Sequence, residues 1–435
     1  MQKEVEDLAQ TVINGFGVAG MAIGIVRGEE VYANGFGVKN IETQEPVTFD
    51  SLFHLASISK TFVATAVMQL VEHGKLELDA PLVAYLPNFL LDDERYKQIT
   101  VQQMLSHTAG MPDTDDYGWD RPEYDDRALE RYMHSLANEK LIGAPGEKFA
   151  YSNVAYEVLG LLVARTSGQS FEDYIKQHIL LPLGMNSSTF LKMEVAPEHA
   201  TAPHLVLPPT VVSQEYPYNR AHAPSSTLHS SARELCNWAL MNLNRGEFQG
   251  QHILESKSFE KMWNPYQQLG LAYPTEFVGL SWFIDTYRGY RTVRHDGADT
   301  GFQTDLILLP DQSLAVIVLA NTLPAPVSKV TFAIVDRLLG FEPEFPKPPV
   351  LVSLGRILAD EGIQAAVEQY RHLQETQADQ YKFGLEQFVD IVYTLLEVRK
   401  YKEGVRVARF GLELFPDSPE LDELLEKIQS RDGHE

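Results

Sequence analysis

Cysteine is almost missing from this chain: Cys236 is alone among 435 residues. With one thiol no disulfide can form within the chain. Stability must then come from buried apolar surface, and a reducing compartment suits such a protein. Basic charge is short too. Thirty-six Lys and Arg stand against 60 Asp and Glu, for a formal net charge of −24. That balance argues against binding nucleic-acid phosphate or anionic lipid. Long hydrophobic runs are also lacking. Stretches such as Leu314-Ala-Val-Ile-Val-Leu-Ala320 fall far below the ~20 apolar residues of a membrane helix, so no membrane span is expected. The N-terminal Met1-Gln-Lys-Glu-Val-Glu-Asp7 reads as an acidic, amphipathic helix start rather than a basic-then-apolar leader. A cytoplasmic location is expected, although a chain whose leader had been removed would look the same.

What is present is an ordinary globular composition, 44% apolar and 22% charged, long enough for two or three domains. Gly20-Met-Ala-Ile-Gly-Ile-Val26 and Val31-Tyr-Ala-Asn-Gly-Phe-Gly-Val38, joined by Arg27-Gly-Glu-Glu30, predict a β-hairpin. Asp305 to Leu309 and Leu314 to Ala320, joined by Pro310-Asp-Gln-Ser313, predict a second. Between them the chain is mostly helical. After the second, Val330 to Leu339 suggests a buried helix that stops at Gly340. The expected fold is α/β of the α+β type, an antiparallel sheet made by both ends of residues 1–340 with an all-α lobe inserted. Phe341-Glu-Pro-Glu-Phe-Pro-Lys-Pro-Pro349 predicts a Pro-rich linker over 341–350, because proline removes backbone donors and favours extended chain. Residues 351–435 then form a small helical domain. Within it Leu354 to Ala366 lines up with Val392 to Gly404, resembling a tetratricopeptide pattern of helix, turn, helix, then proline. Two copies are too few for a free-standing solenoid. This region is read as an appendage packed on the main domain, with partner binding or self-association as its other readings.

Candidate chemistry begins at Ser57-Ile-Ser-Lys60. Val63, Ala66, Val67, Leu70 and Val71 follow with helical spacing, so an amphipathic helix ending near Gly74 is expected, with Ser57 in its first turn and Lys60 one turn on. A serine hydroxyl needs a base to become a nucleophile, and a lysine serves only if burial and positive potential lower its pKa. A helix N-terminus supplies some of that potential and aims N–H groups where an oxyanion can be held. The spacing alone decides nothing, since Ser258-Phe-Glu-Lys261 repeats it. Position favours the first copy, and so do two later motifs. Tyr151-Ser-Asn153 offers a phenol to carry a proton and an amide to bond the lysine and substrate. A second Tyr-x-Asn, Tyr32-Ala-Asn34, lies in a predicted strand before Ser57 and is set aside. Arg294-His295-Asp296-Gly297-Ala298 puts a histidine beside glycine in a strand that can face a cleft. Neither Gly-x-Ser-x-Gly nor His-Glu-x-x-His occurs, which leaves the elbow-serine and two-histidine zinc chemistries without support.

With the three motifs in this order, the chain resembles the serine β-lactamase and penicillin-binding-protein superfamily. It is most similar to the class C β-lactamase-like branch of esterases, D-aminopeptidases and D,D-peptidases. Leu105-Ser-His-Thr-Ala-Gly110, Ser230-Ser-Ala-Arg-Glu-Leu235 and Gly279-Leu-Ser-Trp282 agree, and the resemblance covers about residues 5–340. It implies that Ser57 is acylated and that Lys60 and Tyr151 act as general base and acid. Asn153 would orient Lys60 and substrate, His295 and Gly297 would line the substrate side, and the N–H groups of Ser57 and Ala298 would form the oxyanion hole. No metal and no organic cofactor is implied. The substrate would be a small ester, amide or peptide-like molecule. The alternatives are β-lactamase or D,D-carboxypeptidase activity, acyl transfer, or a catalytically weak scaffold that recruits partners through its helical tail. One departure bears on substrate. Penicillin-recognising members carry Lys-Thr-Gly where this chain has His295-Asp-Gly297, and a histidine mostly neutral at pH 7 is a poor anchor for a carboxylate. The acidic segment from Asp113 through Asp115, Asp116, Asp120 and Glu123 to Asp126, with Tyr117, Trp119 and Tyr124, suggests either a solvated loop or a negative, aromatic rim favouring amine-bearing substrates.

Overall fold

The computed structural model describes residues 2–432 except 115, 271–274 and 346. Its centre is an eight-stranded antiparallel sheet. The strands are β1 (Gly20–Arg27), β2 (Glu30–Gly37), β3 (Gln267–Gln268), β4 (Phe277–Val278), β5 (Phe283–Tyr287), β6 (Tyr290–Asp299), β7 (Phe302–Leu309) and β8 (Leu314–Ala320), in the order β2-β1-β8-β7-β6-β5-β4-β3. Met21 pairs with Ala320 and Arg27 with Leu314, so the two hairpins join as the sequence predicts.

Strands β1 and β8, and β7 from Leu306 on, are apolar almost throughout because both faces are covered. Ala22, Leu306, Leu308, Ala315, Ile317 and Leu319 enter the main core. Their alternates Met21, Ile23, Ile307, Leu309, Val316 and Val318 enter a second layer. There they meet Val5, Ala9 and Val12 of α1 (Gln2–Phe16), and Val330, Ile334 and Val335 of a helix at Val327–Leu339 that ends at Gly340, φ 84°. Burying each such side chain contributes about 1.5–3 kcal/mol.

On the other face lies the inserted lobe, which includes α2 (Ser59–Glu72), α3 (Asn153–Ser167) and α4 (Ala232–Leu243). Helix α4 crosses β1 at Gly24, where a Cβ would stand 2.8 Å from the Cys236 sulfur. Burial pushes the Cys236 thiol up to about 12, which leaves it inert. Helix α2 corrects one expectation. It is not amphipathic: every residue from Ser59 to Leu70 is buried. Its buried polar donors find acceptors inside. Thr65 donates to the Thr61 carbonyl, and Gln69 to the carbonyls of His178 and Ile253. The helix runs through the lobe instead of lying on it, and it stops at His73, followed by Gly74 with φ 68°.

Among the described residues beyond 349, five helices, Val350–Asp360, Ile363–Thr376, Glu386–Glu397, Tyr401–Leu414 and Pro419–Asp432, gather a cluster of their own. Leu205 and Leu207 of the lobe reach into it. Among the described residues no helix is long and apolar enough to cross a membrane, and no three His, Cys, Asp or Glu side chains are grouped to hold a metal ion.

Candidate active site

Ser57 sits one step ahead of its expected place. It lies in a 3₁₀ turn, Ala56–Ile58, that precedes α2 rather than in the first α-helical turn. Ala56 has φ 48°, a conformation that costs a non-glycine residue energy and that clusters at functional sites. The turn is clamped from the sheet: Thr304 of β7 donates to the Leu55 carbonyl at 2.8 Å.

The three-residue spacing still delivers Lys60. Its Nζ donates to Ser57 Oγ at 2.8 Å and to the Ser225 carbonyl at 2.8 Å. Lys60 is fully buried, and desolvation pulls its pKa down to about 8 against the opposing charges of Glu157, Asp113, Asp299 and Asp296. Glu157, on α3, is itself buried. Its carboxylate accepts from the Ser225 hydroxyl at 2.6 Å and the Ser225 amide at 3.3 Å, and contacts His222 Nδ1 at 3.1 Å. Ser225 therefore grips Lys60 while Glu157 grips Ser225. Nothing in the sequence pattern singled out either residue.

Tyr151 immediately precedes Ser152, the N-cap of α3. Its ring centroid lies 5.1 Å from Lys60 Nζ. Burial raises its pKa well above 10, opposed by contact with the Ser57 hydroxyl. Burial therefore favours the protonated phenol. His107 sets the tyrosine's position. The rings stack at 4.2 Å, Nδ1 accepts from the Ser152 amide at 3.1 Å, and the His107 carbonyl accepts from Ala150 at 2.8 Å. Burial holds His107 neutral, with its pKa well below the usual value. Its motif, Leu105 to Gly110, was visible in the sequence, but this role was not.

Asn153 needs a correction. Its amide donates to Asp113 at 3.2 Å and to the Tyr117 hydroxyl at 2.7 Å, and it makes no hydrogen bond to Lys60. Its Oδ1 is left for other partners. His295 lies on β6 beside Gly297. It is buried, its Nδ1 donates to the Asp296 carbonyl at 2.7 Å, and burial with the nearby Lys60 lowers its pKa to about 3. It carries no positive charge near neutral pH. Gly297 faces the Ser57 turn, where an added Cβ would meet the Leu55 carbonyl oxygen at 2.5 Å and the Ser57 nitrogen at 2.8 Å. Ala298 follows on the same strand.

The rival Ser258 donates to Glu72, and Lys261 is exposed, so that pair is no site. The acidic rim also shrinks. Asp116 and Asp120 pair with Arg121, and Glu123 and Asp125 with Arg131. Asp115 lies outside the described residues. Of the rim only Asp113 is among the carboxylates whose charge lifts the Lys60 pKa, and it acts with Glu157, Asp299 and Asp296 from outside the rim.

The profile of the family named Beta-lactamase matches residues 5–339. The chain belongs to the β-lactamase family. It is 26% identical over 328 residues to Protein flp of Staphylococcus aureus, a match covering 74% of this chain and 63% of that one. It is 31% identical over 202 residues to penicillin-binding protein 4* of Bacillus subtilis, covering 45% and 43%. The chain thus spans under two thirds of the length of these relatives. Among solved structures, the octameric penicillin-binding protein homologue from Pyrococcus abyssi superposes with a TM-score of 0.69 at 29% identity, covering 82% of this chain and 81% of that one. The fold is therefore that of β-lactamase-family serine hydrolases.

Proposed function

We propose that this protein cleaves small esters or amides through an acyl-enzyme on Ser57. The observation that carries the proposal is the buried Lys60, 2.8 Å from Ser57 Oγ, with a pKa near 8. A neutral fraction of such a lysine is present at physiological pH and can take the serine proton. Ser57 Oγ then attacks the carbonyl carbon. The tetrahedral oxyanion is assigned to the N–H groups of Ser57 and Ala298. Lys60 returns the proton by way of the neutral Tyr151 phenol to the leaving amine or alkoxide as the bond to it breaks. Water repeats the sequence in reverse and frees the acid and Ser57. Acyl transfer to another nucleophile would use the same intermediate. Asn153 Oδ1 suits a substrate N–H. The neutral His295 supports an ester or amide acyl donor over a penicillin, whose carboxylate would meet several carboxylates and no cation from that strand position.

The test is intact-mass measurement after incubation with an activated acyl ester and with a fluorescent penicillin. An ester adduct or turnover in the wild type that disappears in Ser57→Ala is expected. Neither adduct nor turnover in the wild type would overturn the enzyme reading, and an adduct that survives Ser57→Ala would move the nucleophile elsewhere.

A further inference from the structure

Strand β6 ends at Asp299. Alternate strand residues share a face, so 295, 297 and 299 lie on the side that Gly297 turns toward Ser57. The Asp299 side chain is 15% exposed, and its Oδ2 is held from two directions. His54 Nε2 lies 2.7 Å away, and the Ser226 hydroxyl donates to the same oxygen. His54 stands three residues before the nucleophile, and Ser226 follows the residue whose carbonyl holds Lys60. Asp299 is thereby tied to both segments of the reacting pair.

The second carboxylate oxygen is different. Oδ1 accepts no hydrogen bond from any described residue, and no lysine or arginine among them pairs with Asp299. His54 is wholly buried, its Nε2 faces the carboxylate and its Nδ1 has no partner. The charge of Asp299 is felt by Lys60 and by Tyr117, the residue whose hydroxyl accepts from Asn153. The result is a carboxylate fixed by one oxygen and open at the other, next to the proposed oxyanion residue Ala298.

We infer that Asp299 selects the substrate: its open oxygen receives a protonated amine carried close to the scissile carbonyl, as in amino-acid esters, amino-acid amides and peptides with a free amino terminus. This inference rests on the Ser57 reading. A fixed, partly desolvated carboxylate is a strong acceptor for an ammonium group, because its geometry needs no ordering on binding.

The experiment compares kcat/KM for one amino-acid p-nitroanilide with a free amine and its N-acetylated counterpart, with a neutral p-nitrophenyl ester alongside. Wild type should favour the free amine by roughly tenfold or more, the scale of one hydrogen bond between charged groups. Asp299→Asn keeps an oxygen for His54 and Ser226 and removes the charge, so the free-amine to acetylated ratio should fall by about the same factor. Asp116→Asn, whose carboxylate is already paired with Arg121, is the control for long-range charge. An equal or faster acetylated substrate in wild type overturns the inference without any variant. So does an unchanged ratio in Asp299→Asn, even if both rates drop, because that is the mark of a purely structural residue. Failure of wild type on the neutral ester as well brings down the Ser57 reading, and this one with it.

Discussion

Gly297 runs so close to Ser57 that a methyl group on its Cα would stand 2.8 Å from the Ser57 amide nitrogen. The same methyl would be 2.5 Å from the Leu55 carbonyl oxygen and 2.8 Å from Thr304 Oγ1. Two of these three contacts are with backbone, which cannot swing aside as a side-chain end does. Gly297→Ala must therefore displace the Ser57 turn. Loss of one aligned oxyanion donor costs about 10²–10³ in kcat. Overpacking of this kind costs about 1–3 kcal/mol of stability. Turnover of an activated ester and a thermal melt, measured together, check both numbers. A variant within tenfold of wild type would show that β6 can retreat without disturbing Ser57.

The pH profile should report Lys60. On the proposed mechanism only its neutral form accepts the serine proton, so kcat/KM should rise with pH and level off above about 8. The Glu157 charge opposes the desolvation of Lys60 and holds its pKa up. Glu157→Gln removes that charge while keeping an acceptor for Ser225, so the rising limb should move to lower pH. An unmoved limb would mean that a different group titrates.

The motifs were legible because each is a short, local pattern. Ser57 and Lys60 are three residues apart, and any turn of helix joins them. Gly297 was legible as a glycine, but its reason was not, because the clash it avoids is with Leu55 and Ser57, far away in sequence. The partners of Lys60 were hidden for the same cause. Ser225 and Glu157 carry no pattern of their own and meet only when α3 packs behind α2. Helix α2 was misread as amphipathic because periodicity marks the most apolar stripe, whereas burial of the Gln69 side chain depends on carbonyls supplied from elsewhere in the fold. The acidic rim misled for a related reason: Arg121 and Arg131, which neutralise most of it, lie within or just after the same stretch.

His107 gives a third test. Replacing it with alanine removes the stack beneath Tyr151 and the acceptor for the buried Ser152 amide. An unsatisfied buried donor costs about 1–3 kcal/mol. Because the loss falls on the residue next to Tyr151, kcat should fall well before KM changes. His107→Asn can still offer an oxygen to the amide and should recover more stability than activity. Equal recovery of both would assign His107 to folding alone.

The last prediction concerns the cost of burying Lys60. A lysine whose pKa falls from 10.5 to about 8 on folding weakens the folded state by about 3 kcal/mol wherever it is protonated in both states. The sign follows from proton counting. Between about pH 8 and 10.5 the unfolded chain binds a proton that the folded one has lost, so wild-type stability gains with rising pH across that window. Below about 8 the cost is complete. Lys60→Met removes it and fills similar volume, but leaves the Ser225 carbonyl without its donor, which returns about 1–3 kcal/mol. At pH 7 the variant should be inactive and no less stable than wild type, and any advantage should shrink as the pH rises from 8 toward 10.5. Denaturant midpoints at several pH values measure that difference. A gap that stays constant across the window would show that Lys60 is not the group whose proton is lost on folding.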